Sequence, residues 1–185
     1  MKKIKFFLFI FLISFNPIIS SNSSEKIKSK NTNCIFSADK NLDQLSITQI
    51  DIDLDDYRKW TKNSLKIVIG NFRYIPSKFK KRFKAKVVVS YKNKIQCTFK
   101  AEIRHSGDEK DHVNLQENLI YQSIDVHLTE GNIRGITKFK LLRPKTRGNL
   151  EDEIFLTEIL RQLNYLAPRT ILVKTRINES FSNMI

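Results

Sequence analysis

Residues 85–103 read AKVVVSYKNKIQCTFKAEI. Ile95, Cys97, Phe99, Ala101 and Ile103 alternate strictly with Gln96, Thr98, Lys100 and Glu102, the period of a strand with one wet face. AKVVVSY (85–91) is a second β-prone run, and Lys92-Asn93-Lys94 joins the two as a hairpin. An antiparallel sheet is therefore the frame for the rest of the chain.

Toward the carboxyl end the pattern repeats. SIDVHL (123–128) alternates with Ile124, Val126 and Leu128 inward, Glu130-Gly131-Asn132 turns the chain, and ITKFKLL (136–142) makes the next strand until Pro144 stops it. Asn149 then caps a helix whose first turn carries Glu151, Asp152 and Glu153, acids favoured at the positive end of the dipole. Phe155, Leu156, Ile159, Leu160 and Leu163 are expected to be its buried stripe, and Pro168 bars continuation. TILVKTRI (170–177) is a further strand. Upstream, SLKIVIG (64–70) reads as a short strand ending at Gly70, after a helical turn carrying Tyr57 and Trp60. Strands outnumber helices without alternating with them, so the expected class is α+β: a mostly antiparallel sheet of about five strands with one long helix packed across it.

The amino terminus reads as an export signal. Lys2, Lys3 and Lys5 precede the apolar run FFLFIFLISF, which is short for a bilayer span and ends at Asn16-Pro17. This assigns residues 1–20 to a signal peptide, 21–33 (SNSSEKIKSKNTN) to a flexible polar leader, and 34–185 to a single domain. It also places the protein in the periplasm or outside the cell, with no stable membrane span after cleavage. Cys34 and Cys97 are the only cysteines. In an oxidising compartment they are disulfide candidates, a bridge worth about 4 kcal/mol in the chain-entropy model, while two buried thiols are the alternative.

Lysine and arginine number 33 against 19 acids, a net charge of +14 that falls to +11 without the three amino-terminal lysines. Anionic partners are favoured: nucleotide phosphate, acidic glycan or a membrane surface. Nucleic acid is disfavoured for an exported chain. Because 23 of the 33 basic residues are lysine, a coding bias explains part of the excess. The densest run, SKFKKRFKAK (77–86), spaces Phe79 and Phe83 four apart. A short helix there would anchor both rings in the core and leave Lys78, Lys80, Lys81, Arg82 and Lys84 solvated; an anion-binding patch is the other reading.

Two constellations carry candidate chemistry. In IRHSGDEKDH (103–112), His105, Asp108, Asp111 and His112 are of metal-ligating type, and Ser106-Gly107-Asp108 is a tight turn able to aim backbone N–H groups at an anion; a polar loop with capping aspartates is the plainer reading. In KFKLLRPKTRGNLEDEIF (138–155), Lys138 and Lys140 project from one face of a strand, with Glu158 at the edge of the following helix's apolar stripe. A strand lysine paired to a helix glutamate is how kinases hold nucleotide phosphates, and an ordinary surface ion pair looks the same from spacing alone.

The stretches AEIRHSGDEKDH, SIDVHLTEGNIRGITKFKLLRP and EIFLTEILRQLNYLAPRTILVKTRIN resemble the amino-terminal part of bacterial exported proteins related to the CotH-type spore-coat kinases, over roughly residues 85–178. The family's R-x-x-G element corresponds to Arg104–Gly107, its K-x-K-L strand to Lys138–Leu141, and its L-G-x-x-A-P to Leu163–Pro168. Asn164 stands where the family often has glycine, and Asn178-Glu179 where it has N-G. The resemblance implies a kinase-N-lobe-like fold in which Lys138 or Lys140 touches phosphates, Glu158 is the partner and Arg104 belongs to the site. It also implies a chain truncated before the catalytic-lobe aspartates, so ATP and a divalent metal are cofactors only of a full-length relative; none is expected for this chain alone. Three readings follow: a fragment of an exported kinase-like protein, inactive alone; a secreted basic module for anionic glycan or envelope polymer; and a structural envelope protein.

Overall fold

The residues ITQIDIDL form β1 (Ile47–Leu54), whose second half alternates apolar and acidic side chains, with Ile50, Ile52 and Leu54 buried and Asp51 and Asp53 on the opposite face. The computed structural model describes residues 47–92, 94–116, 119–133, 135–147, 150–178 and 180–184. The proposed signal peptide and leader, Cys34 and the Asn149 cap lie outside these residues.

After β1 the chain enters α1 (Tyr57–Ile69), started by the Asp56 carboxylate accepting the Lys59 N–H at 3.1 Å. SLKIVIG, expected as a strand, is the second half of this helix. The physical reason is visible in hindsight: Trp60, Ser64 and Ile67 fall on one side of a helix and are all buried there, a tertiary gain that overrides the β preference of Ile-Val-Ile. The basic run gives only a three-residue 3₁₀ turn, Ser77–Phe79, rather than the expected short helix. Its two rings are nonetheless anchors, Phe79 stacked on Phe72 and Phe83 edge-on to Trp60.

The expected hairpin is β2 (Phe83–Tyr91) and β3 (Gln96–His105), paired in the register Val87↔Phe99 and Val89↔Cys97. Then come β4 (Val113–Gln116), β5 (Leu119–Gln122), β6 (Ile124–Leu128), β7 (Lys138–Leu141), α2 (Leu150–Gln162), β8 (Val173–Ile177) and β9 (Ser180–Met184). The main sheet has seven strands in the order β7-β6-β3-β2-β1-β8-β9, antiparallel except for β1 against β8, and β4 pairs with β5 in a separate ribbon. The fold is thus α+β with a curled, mostly antiparallel sheet, but with more than five strands and with two helices.

Each strand sorts its side chains by face. One face carries Ile52, Val87, Val89, Cys97, Ile103, Ile124 and Val126, all at most 0% exposed, and curls round to enclose Trp60 of α1. Burial on this scale supplies the main driving force for folding. The other face is charged: Arg176 binds Asp51 at 3.3 Å and Asp53 at 3.0 Å, Lys84 lies opposite Glu102, and Arg104, Asp125 and Lys140 form one cross-strand row.

The helix α2 occupies its expected place in the sequence, but its expected buried stripe is not buried. Phe155, Leu156, Ile159 and Leu163 are exposed, and Leu160 is half-buried. At 100° per residue they span one arc, while Thr157, the helix's buried residue, lies on the opposite side with half-buried Ile154. The helix rests on that narrower side because the curled sheet has already closed over its own apolar face.

Candidate functional site

The two constellations meet in space. His105 ends β3, and the chain turns through Ser106 and Gly107, the latter at φ +88°, where a Cβ would overlap the imidazole of His112. Ser123, between β5 and β6, ties this turn to the end of β7. Its carbonyl accepts the Ser106 N–H at 2.9 Å, its hydroxyl accepts the Arg143 N–H at 3.0 Å, and His112 Nδ1 lies 3.0 Å from the same hydroxyl. Arg143 is itself buried, and its Nη1 donates to the Asp111 carbonyl at 2.5 Å.

Electrostatics follow from that convergence. The Lys80 ammonium, 2.6 Å from Asp108, holds its carboxyl below the usual range, and Lys140 adds to the effect. Burial lowers the His112 pKa, partly countered by Asp111 and reinforced by Arg143 and Arg147. Lys80, Lys140, Arg143 and Arg147 therefore act on one region.

His105 does not belong to it. The ring is buried and stacked on Trp60, with centroids 4.1 Å apart, and its Nε2 is 3.3 Å from Ser64 Oγ. That hydroxyl lies 3.0 Å from both Trp60 O and Gln122 Oε1, so with its proton given to one of them it accepts from His105 Nε2–H. Burial pushes the His105 pKa down to about 4, keeping the ring neutral. A metal-ligating role for the loop is not assembled: among the described residues no three His, Cys, Asp or Glu side chains are grouped to hold an ion.

Beside the junction runs a cleft of about 460 Å³. The curl of the sheet brings β7, with Phe139 and Leu141, across from Ile47 and Ile50 of β1 and Val173 of β8, and these make an apolar floor. Lys138, Lys140, Arg147 and Arg169 supply a cationic rim with one carboxylate, Glu153. Glu153 is held by Arg147 through paired guanidinium contacts, one at 2.8 Å.

The sequence-derived site residues divide accordingly. Lys138 and Lys140 are exposed along the edge strand and line the cleft. Arg104 is brought near them, bound to Asp125 at 3.0 Å in the row that ends at Lys140. Glu158 is not brought to the lysines; it is held by Arg161 at 2.9 Å and Gln162 at 2.8 Å on its own helix. The carboxylate that lines the cleft with them is Glu153, five residues earlier and so about 140° round the helix. Sequence reasoning passed over Arg147 and Glu153, although a basic residue just before an acidic first turn was the available signal. Cys97 is fully buried on the apolar face, as its alternation predicted.

Asn164, which stands where the resembled pattern often has glycine, and Asn178, which matches that pattern's asparagine, both adopt positive φ, 61° and 50°, while Glu179, the second departing position, lies outside the described residues. Glycine favours that conformation and asparagine tolerates it better than other residues. Comparisons with protein-family models, curated proteins and solved structures find no match.

Proposed function

We propose that this chain holds nucleotide phosphate as part of an exported kinase-like protein, with a kinase-N-lobe-like role for its sheet. The ligand lies in the cleft between the edge of β7, the first turn of α2 and the segment that leads into β8. One observation carries the reading: Lys138 and Lys140 line a cleft of about 460 Å³ and form no ion pair with a described residue, whereas nearby cations are matched. Arg82 and Arg104 share Asp125, and Arg147 holds Glu153. A volume of this size suits a small ligand, and an apolar floor beneath a cationic rim suits a flat ring system that carries phosphates.

The glycan-binding alternative draws on the 77–86 run, where two of the cations are engaged: Lys80 is on Asp108 at 2.6 Å and Arg82 reaches Asp125 at 3.6 Å.

Titration with a fluorescent ATP analogue, and separately with inorganic triphosphate, tests the proposal. Lys138→Met with Lys140→Met is expected to weaken both by at least about tenfold, the scale of one charge-assisted contact, with little change in Tm. Wild-type protein that binds neither probe, or a variant that binds as well as wild type, overturns it. Salt-sensitive binding of an acidic polysaccharide in place of nucleotide, lost on neutralising Lys78, Lys81 and Lys84, assigns the chain to the glycan reading.

A further inference from the structure

The Arg147–Glu153 pair stands on a fixed base. Arg143 is buried and tied to Ser123 and Asp111, and its carbonyl accepts both the Thr146 N–H at 3.0 Å and the Thr146 hydroxyl at 2.7 Å. The Arg147 N–H then closes the same 3₁₀ turn, Pro144–Thr146, on the Pro144 carbonyl at 3.0 Å. With its backbone held this way, Arg147 has its side chain held as well. Nε donates to Glu153 Oε2 at 2.8 Å and Nη2 donates to Oε1, so the carboxylate takes one whole edge of the guanidinium.

A guanidinium has a second edge of the same kind. There, Nη1 of Arg147 has no acceptor among the described residues. Exposure shows which member of the pair faces outward: the Arg147 side chain is 38% exposed and that of Glu153 19%, so the cation is in front and the carboxylate behind. Both line the cleft with Lys138 and Lys140. A lysine is a point charge on a flexible stem and attracts an oxyanion from many directions, whereas a planar fork braced at its back takes two oxygens in one orientation. A partly exposed ion pair stabilises a fold little, so its loss need not disturb α2.

Resting on the phosphate-holding reading, we infer that Arg147 binds two oxygens of the ligand's phosphate through its open edge, and that Glu153 is a positioning residue that braces the guanidinium for this contact without touching the ligand. Lys138 and Lys140 then supply attraction, and the braced fork supplies orientation.

Glu153→Gln decides between two accounts of the carboxylate, because they predict opposite signs. A carboxylate that is only a nearby negative charge repels an anion, so neutralising it would tighten binding. A carboxylate that braces the fork weakens binding when it is lost. The full chain is titrated with inorganic triphosphate and with the fluorescent ATP analogue, and circular dichroism at the same temperature checks that each variant is folded. Glu153→Gln should bind about fivefold more weakly, and Arg147→Lys, which keeps the charge and loses the fork, about tenfold more weakly. The double variant should be no weaker than Arg147→Lys alone, since no fork is left to brace. Glu153→Gln that binds as well as wild type or tighter overturns the inference, and so does Arg147→Lys with wild-type affinity. If Lys138→Met with Lys140→Met still weakens binding in that case, phosphate holding itself stands. Wild type that binds neither probe removes phosphate holding, and the Arg147 contact with it.

Discussion

Two helices of equal length, 13 residues each, take opposite fates in this molecule. The sequence of α1 is mostly polar, yet it buries Trp60, Ser64 and Ile67; that of α2 has a continuous apolar stripe, and it buries Thr157 instead. Local apolarity does not decide which helix is incorporated. What decides is whether the sheet leaves a space that a side chain fills. The curl of the apolar face leaves one such space, and the Trp60 indole occupies it between Phe83, edge-on at 5.2 Å, and His105, face-on at 4.1 Å.

The sharpest way to break this contrast is to truncate one aromatic on each helix. Trp60→Ala should cost about 3–5 kcal/mol, enough to unfold a domain of ordinary stability, because it empties a closed space. Phe155→Ala should cost under about 0.5 kcal/mol, since a 68% exposed ring loses little packing. Urea unfolding measures both. Equal losses would mean that α2 is held by its apolar stripe after all.

The second test acts on α1's partner rather than on α1. His105 is neutral in the fold, with its pKa pushed down to about 4 by burial, while in the unfolded chain it titrates near the ordinary value of about 6.5. The unfolded state therefore takes up the proton first as pH falls. The contribution is fully present above about pH 7.5, is lost progressively below pH 6.5, and levels off near pH 4 after a loss of about 3 kcal/mol. His112, also lowered by burial, adds in the same direction. Urea midpoints measured from pH 8 to pH 4 should show this slope, and His105→Phe, which keeps a ring against Trp60, should flatten it. A variant with the wild-type slope would place the proton-linked cost elsewhere.

The same contrast explains what could be read from the sequence. Strict alternation was enough for β3, β6 and β7, because a half-buried strand must show it, and a β-prone run beside β3 was enough for β2. It was equally present in ITQIDIDL, where Ile50, Ile52 and Leu54 alternate with Asp51 and Asp53, and went unread. SLKIVIG misled because a short segment with four apolar side chains, Leu65, Ile67, Val68 and Ile69, fits either period; only the burial of Ser64 and Ile67 alongside Trp60 settles it. For α2 the existence of the helix was legible, and its rotation was not. A stripe states that a helix has an apolar side, never that something covers it. That rotation is also why the cleft presents Glu153 and not Glu158. The convergence of the Gly107 turn with the β7–α2 junction passes through Ser123, a contact across long stretches of chain that no local pattern encodes.

The smallest expected effect completes the comparison. Leu156 and Ile159 lie on the open arc of α2, and changing both to Ser exchanges exposed apolar surface for exposed hydroxyls. Serine lowers helix propensity by a few tenths of a kcal/mol at each position, and the packing lost is limited because Leu156 is 56% and Ile159 37% exposed already. The net change in unfolding free energy should stay within about 1 kcal/mol, and the far-ultraviolet spectrum should keep its helical signal. Solubility should rise, because a contiguous apolar patch has been broken. The matched pair on the other helix, Trp60 with Ile67, should not survive the same exchange. A large loss from the α2 pair would show that its stripe is covered within the chain, and would remove the distinction between the two helices on which the fold comparison depends.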